Sequence, residues 1–140
     1  MSPITLHHHV PTPEEYCEMR VRTGLSPKSL EGARIGMANS LYGVCLRDEA
    51  GQLVGMGRLI GDGGCFVQIC DIAVDPAHQG RGLGQQIMQA LLDHIHAHMP
   101  DLTWVNLFAD GDAHHLYKKF GFEMTAPLSQ GMAFRLRKRA

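Results

Sequence analysis

Apolar and polar positions change period several times along the chain, and each change predicts an element. Ile4 to Val10 reads as a first strand. Thr12-Pro13-Glu14-Glu15 then predicts a helix start, because Thr12 can cap, Pro13 suits the first turn and Glu15 completes a capping box. That helix runs to about Thr23 and ends at Gly24. Ser26-Pro27 repeats the signal for a second helix, to about Ala38. Leu41 to Arg47 and Leu53 to Ile60 are two strands joined by Asp48-Glu49-Ala50-Gly51-Gln52, a hairpin. Asp62-Gly63-Gly64 turns the chain into a third strand, from about Cys65 to Val74.

Ile87, Met88, Leu91, Leu92, Ile95 and Met99 then form one apolar stripe at helical spacing. It predicts a helix over about Gly82 to Met99, stopped by Pro100. Thr103 to Ala109 is a strand parallel to the one before the helix, since a helical crossover joins them. Asp110-Gly111-Asp112 is expected to cap a last helix closing at Phe120-Gly121, and Gly131 to Arg137 to add a hairpin strand. The pattern describes an α/β protein. Its sheet is mixed and mostly antiparallel, with a central parallel strand pair and helices on both faces. At 140 residues one domain is expected, spanning residues 1–140.

The chemistry concentrates where the third strand meets the long helix. Asp75-Pro76 stops the strand, because proline has no N–H for the ladder. Gly80, Gly82 and Gly84 follow at alternate positions, and then the helix begins. A strand, a glycine loop and a helix N-terminus make an anion site, since first-turn N–H groups lack partners and the macrodipole adds positive potential. Arg81 adds a full charge. A pyrophosphate carrier is the expected ligand. A Walker loop would need Gly-Lys followed by Ser or Thr, which is absent. The dinucleotide fingerprint G-x-G-x-x-G needs another spacing, and its loop would follow the first strand of a βαβ unit.

Gln79-Gly80-Arg81-Gly82-Leu83-Gly84 instead resembles the acetyl-CoA loop, Q/R-x-x-G-x-G/A, of the GCN5-related N-acetyltransferase (GNAT) superfamily. Upstream, Ile72-Ala73-Val74 and Pro76 look like that family's strand and turn. Downstream, Ala113-His114-His115-Leu116-Tyr117-Lys118-Lys119-Phe120-Gly121-Phe122 is similar to its second signature, A-x-x-L-Y-x-K-x-G-F. The two signatures stand in the family's order and cover roughly half of the chain. The resemblance implies a GNAT-like fold and transfer of an acetyl group from acetyl-CoA directly to a primary amine of a small molecule or peptide, with CoA as product.

The resemblance also implies roles. The backbone of Ile72, Ala73 and Val74 would pair with the pantetheine arm, and an N–H there would stabilise the oxyanion. Gln79, Gly80, Arg81, Gly82, Leu83, Gly84 and Gln85 would wrap the pyrophosphate. Asp110, Ala113 and Tyr117 would complete the cofactor site, and Tyr117 would protonate the leaving thiolate. Two positions depart from the family pattern. Asp110 stands where many members carry Asn, and loses that amide's donor. The central strand, where many members offer Glu or His as base, offers Asp71 and, more weakly, Cys70. Asp71 reads as base for the acceptor, as counter-charge to its ammonium, or as a partner fixing Arg58 across the sheet. The acceptor site would be built from Tyr16, Arg20 and Arg22 on the first helix, with Gly24-Leu25-Ser26 and Leu128-Ser129-Gln130-Gly131.

Composition narrows the partners. A net charge of about −1 gives no global field selecting nucleic acid or an anionic membrane. The basic tail Arg135, Arg137, Lys138 and Arg139 reads as a solvated end. No apolar run reaches the length of a membrane span, and no signal peptide is read. Cys17, Cys45, Cys65 and Cys70 form no C-x-x-C, so neither zinc nor a redox pair is expected, and free thiols in the cytoplasm are. His7-His8-His9 alternates across its strand, and His94 and His98 lack a third ligand, so no metal is expected. A homodimer is left open. The reading from another class is a non-catalytic acyl-CoA-binding sensor that kept the cleft and lost turnover.

Overall fold

The computed structural model describes residues 3–138. By its internal contacts the chain divides into two compact units, Met1–Leu107 and Phe108–Ala140. In the first unit a short strand β1 (Thr5–His7) leads into helix α1 (Pro13–Arg22). The capping box at its start is complete: Thr12 Oγ1 accepts from the Glu15 N–H, and Glu15 Oε1 accepts from the Thr12 N–H, both at 3.1 Å. Glu15 also holds Arg47 at 2.6 Å.

Helix α2 spans Leu30–Ala38, three residues later than Ser26-Pro27 suggests. The reason lies in Arg20, whose Nε donates to the Ser26 carbonyl at 2.6 Å and whose Nη2 donates to the Ser26 hydroxyl at 3.0 Å. With Ser26 so engaged, Ser29 caps the helix by accepting from the Gly32 N–H.

Strands β2 (Tyr42–Arg47), β3 (Leu53–Gly61) and β4 (Phe66–Val74) form an antiparallel meander. Helix α3 (Leu83–His98) crosses over, and β5 (Trp104–Asn106) pairs parallel with β4. The sheet order is β1-β2-β3-β4-β5. Register partners Cys45, Met56 and Ala73 form a row on one face, where they meet Tyr16, Met19, Ala33 and Met37 of α1 and α2. The opposite face receives α3 through Ile87 and Leu91. Gly57 makes that approach possible: a Cβ there would stand 2.5 Å from Ile87 Cγ2. Helices therefore cover both faces, and the predicted α3 stripe is buried at Ile87, Met88, Leu91 and Ile95.

Beside this layer, the Tyr42 ring stacks on His94 at 3.9 Å, and its hydroxyl meets His8 Nδ1. His94 is thus half-covered by the Tyr42 ring. The four cysteines are free thiols.

The second unit holds helix α4 (His114–Lys118). It starts later than Asp110 suggests, and no side chain caps it, because Gly111 and Asp112 are spent in a backbone turn first. The expected strand over Gly131 to Arg137 does not form. Its period-2 pattern, Met132, Phe134 and Leu136, has no neighbouring ladder among the described residues, and these side chains are exposed. A strand needs a partner, which alternation alone cannot supply. Arg139 of the basic tail lies outside the described residues. No described helix is long and apolar enough to cross a membrane.

Candidate functional site

The loop after β4 has the conformation that its glycines require. Asp75 accepts from the Ala77 N–H at 2.8 Å and opens a single 3-10 turn, Pro76–His78. The Gln79 side-chain amide donates to the Val74 carbonyl at 3.2 Å, tying the loop to the strand end. Gly80 and Gly82 follow with φ of 81° and 74°, the left-handed region that L side chains rarely adopt. Nothing lies within 4 Å of a Cβ position at either, so glycine here serves the backbone and leaves the loop face open. Gly82 is the N-cap of α3 and supplies no side-chain cap. A helix of 16 residues thus begins with its first turn uncapped by any side chain, at the positive end of its dipole. This fits a pyrophosphate held by the backbone of Gly80 to Gly84 with Gln85.

The strand leading into the loop is open on one edge. β4 reaches Val74, but its pairing with β5 stops at Gln68 and Asn106. From Ile69 to Val74 that edge has no strand partner among the described residues. On the other edge the register shifts: Met56 pairs with Ala73, and Arg58 with Cys70. The extra residue of this bulge falls at Asp71–Ile72, with Asp71 at φ 62°. An extended arm added to the free edge would meet the backbone of Ile72, Ala73 and Val74.

The bulge turns Asp71 into a buried cluster. Its carboxylate takes Arg20 Nη1 at 2.5 Å, Arg58 Nε at 2.5 Å and the Tyr16 hydroxyl at 2.9 Å. Its side chain is 6% exposed. Both guanidinium carbons lie within 6 Å of the Tyr16 ring centroid, at 5.8 Å for Arg20 and 5.5 Å for Arg58. Burial pushes the Asp71 carboxyl up, but the Arg58 charge, the Tyr16 hydrogen bond and Arg20 outweigh it, and the group sits below the ordinary carboxylate value. Burial and then the Asp71 charge push the Tyr16 phenol and the Cys70 thiol each up to about 12, so both stay neutral. A carboxylate with three donors and a lowered pKa is a poor proton acceptor. Of the roles open to Asp71, fixing Arg58 across the sheet is the one its contacts support. The Tyr16 and Arg20 contacts are new. Their signal was present, since Tyr16 and Arg20 are four apart on α1, and the apolar run of β4 contains a single acid.

Within the second unit, α4 carries Tyr117 half-buried, its ring edge-on to Phe122 at 6.5 Å between centroids. The Ala113 carbonyl accepts from the Leu116 N–H at 3.0 Å and the Tyr117 N–H at 3.4 Å. Burial and then the Asp110 charge raise the Tyr117 phenol above its ordinary value, so it holds its proton at neutral pH. Asp71 to Gln85 therefore belong to the first unit, and Asp110, Ala113 and Tyr117 to the second.

An acetyltransferase (GNAT) domain profile matches residues 38–124. The chain is 41% identical to a solved Staphylococcus aureus protein of unknown function, described as a probable acetyltransferase. That likeness has a TM-score of 0.90 and covers 96% of this chain and 100% of the other. The GNAT family N-acetyltransferase YhbS of Escherichia coli, solved in complex with CoA, shares the fold at TM-score 0.66 and 22% identity, over 90% of this chain and 72% of that one. The uncharacterized N-acetyltransferase ycf52 of Pyropia yezoensis is 30% identical over 112 residues, which are 78% of this chain and 62% of the relative. The chain thus spans about three fifths of that curated relative's length.

Proposed function

Because the chain belongs to the GNAT acetyltransferase family, we propose that it moves an acetyl group from acetyl-CoA to a primary amine by direct attack. The observation that carries this is the free edge of β4 running through a left-handed glycine loop into a helix without a side-chain cap. One continuous stretch thereby offers backbone donors to an extended arm and then to a pyrophosphate. The co-substrate supplies the activated acetyl group. The backbone of Ile72, Ala73 and Val74 orients it, and an N–H there donates to the carbonyl oxygen as that oxygen gains charge. Gln79 to Gln85 hold the phosphates. Asp110 and Ala113 support α4, and Tyr117 gives its proton to the departing sulfur. Asp71 acts as a positioning residue that fixes Arg20, Arg58 and Tyr16. The acceptor's own proton then leaves to water.

The deciding experiment is release of free thiol from acetyl-CoA on adding a panel of amines. Amine-dependent release is expected. Tight acetyl-CoA binding with no release by any amine would replace the enzyme with the sensor, a reading that the full engagement of Asp71 keeps in play.

Gly82 gives a second expected result. Valine there must adopt φ near 74°, a region disfavoured for a β-branched residue, and its side chain fills the open loop face. Gly82→Val should weaken acetyl-CoA binding by well over tenfold, about 1.4 kcal/mol or more. Calorimetry returning wild-type affinity from a folded variant would remove the loop from the site.

A further inference from the structure

The Asp71 cluster does not balance. Two guanidiniums, with side chains 9% and 14% exposed, share one carboxylate. Among the described residues no second carboxylate pairs with either. Tyr16 and Cys70, the other titratable groups against Asp71, are neutral. One positive charge is therefore left over in a largely buried place, where an uncompensated ion is costly.

That charge faces a cavity. A pocket of about 140 Å³ opens between α1 and α2, lined by Tyr16 and Arg58 from the cluster and by Lys28, Ser29 and Met37, among others. Arg58 Nη1 donates to the Gly36 carbonyl at 3.4 Å and to the Ser40 hydroxyl at 3.2 Å. Its Nη2 has no hydrogen-bond partner among the described residues. Lys28 adds a second cation and forms no ion pair among those residues. Ser29 caps the N-terminus of α2, while Arg58 lies against the last turn of that helix. The lining holds no acidic residue. A bare amine, protonated at neutral pH, is a poor occupant of such a pocket. An anion is a good one.

Resting on the acetyltransferase reading, we infer that the amine acceptor carries an anionic group, a carboxylate or a phosphate, that seats in this pocket against Arg58 and Lys28. The volume suits a small polar head with a short apolar stem along Tyr16 and Met37. Seating the anion here leaves the amine at the other end of a small molecule, so the acceptor class is a compact amino acid or amino phosphate.

The test compares matched amines in the thiol-release assay at saturating acetyl-CoA: β-alanine against propylamine, and O-phosphoethanolamine against ethanolamine. At least one anionic member should exceed its neutral partner in kcat/KM by tenfold or more, and the pair with the larger ratio identifies the anion. Lys28→Glu, an exposed change, should bring that ratio down towards one or invert it. Neutral amines used as well as their anionic counterparts would overturn the inference and leave the transferase reading standing. If no amine is acetylated, that reading fails, and the pocket is tested by binding alone. With CoA present to fill the loop, propionate or inorganic phosphate should raise the melting temperature of the wild type and not of Lys28→Glu. Equal behaviour of the two proteins would overturn the inference on its own.

Discussion

Replacing Tyr117 by Phe is expected to lower kcat by about 10²–10⁴-fold, the usual contribution of a placed general acid. Phe keeps the ring and its edge-on contact with Phe122, so the fold should survive, as circular dichroism would check. Only the proton donor is lost. A thiol has a pKa of about 8.5 and a phenol about 10, so the phenol is still loaded when the thiolate forms. Burial and then Asp110 raise the Tyr117 phenol further, which keeps it protonated across the assay range. The wild type should accordingly show no alkaline fall in kcat from this group below about pH 10. Acetyl-CoA affinity should change little, because the lost interaction matters as charge develops on sulfur. A folded Tyr117→Phe protein with wild-type kcat would assign the proton to water or another residue.

Asp71→Asn should cost stability on the order of 3–5 kcal/mol, the usual result of removing one partner from a buried ion pair. Asn tolerates the left-handed φ of 62° nearly as well as Asp, so backbone strain does not confuse the outcome. What changes is charge: two guanidiniums remain side by side with no anion between them. The melting temperature should fall by on the order of 10 °C. The pH profile carries the sign. Asp71 has a lowered folded pKa, so its contribution is present above the unfolded value of about 3.9 and is lost as pH falls through the folded value. Glu15, held down to about 2 chiefly by its bond to Arg47, titrates in the same window in both proteins. Subtracting the variant's profile from the wild type's therefore isolates Asp71. A variant within about 1 kcal/mol of wild type, with the same acid limb, would show that the cluster does not depend on that charge.

Local signals carried much of this protein. The capping box at Thr12, the stripe on α3 and the loop glycines each specify their element within a few residues, and the structure has them where the sequence puts them. What the sequence concealed depends on partners far along the chain. Ser26 looked like a helix cap until Arg20 took both its oxygens. Asp71 with Arg58 was among the pairings the sequence offered, but nothing local revealed the bulge that also aims it at Tyr16 and Arg20 of α1. Met132, Phe134 and Leu136 alternate as a strand would, yet pairing is a property of two segments. The pocket at Lys28 was invisible for the same reason, since it exists only once α1 and α2 have packed over β3.

The open side of β4 also bears on how the protein behaves in concentrated solution. The edge of β4 from Ile69 to Val74 that pairs with no strand among the described residues, with its β-branched Ile69, Ile72 and Val74, is a template on which a strand from another copy can be laid, and such additions propagate into aggregates. Two features limit the hazard. The bulge at Asp71 breaks the run into short, twisted pieces, and Pro76 forbids its extension. A molecule lying along the remaining piece would do the rest by occupying the donors that a neighbouring chain would seize. The edge proposed to receive the cofactor is thus both short and bent, and on that proposal the protein's shelf life would follow the ligand that covers it.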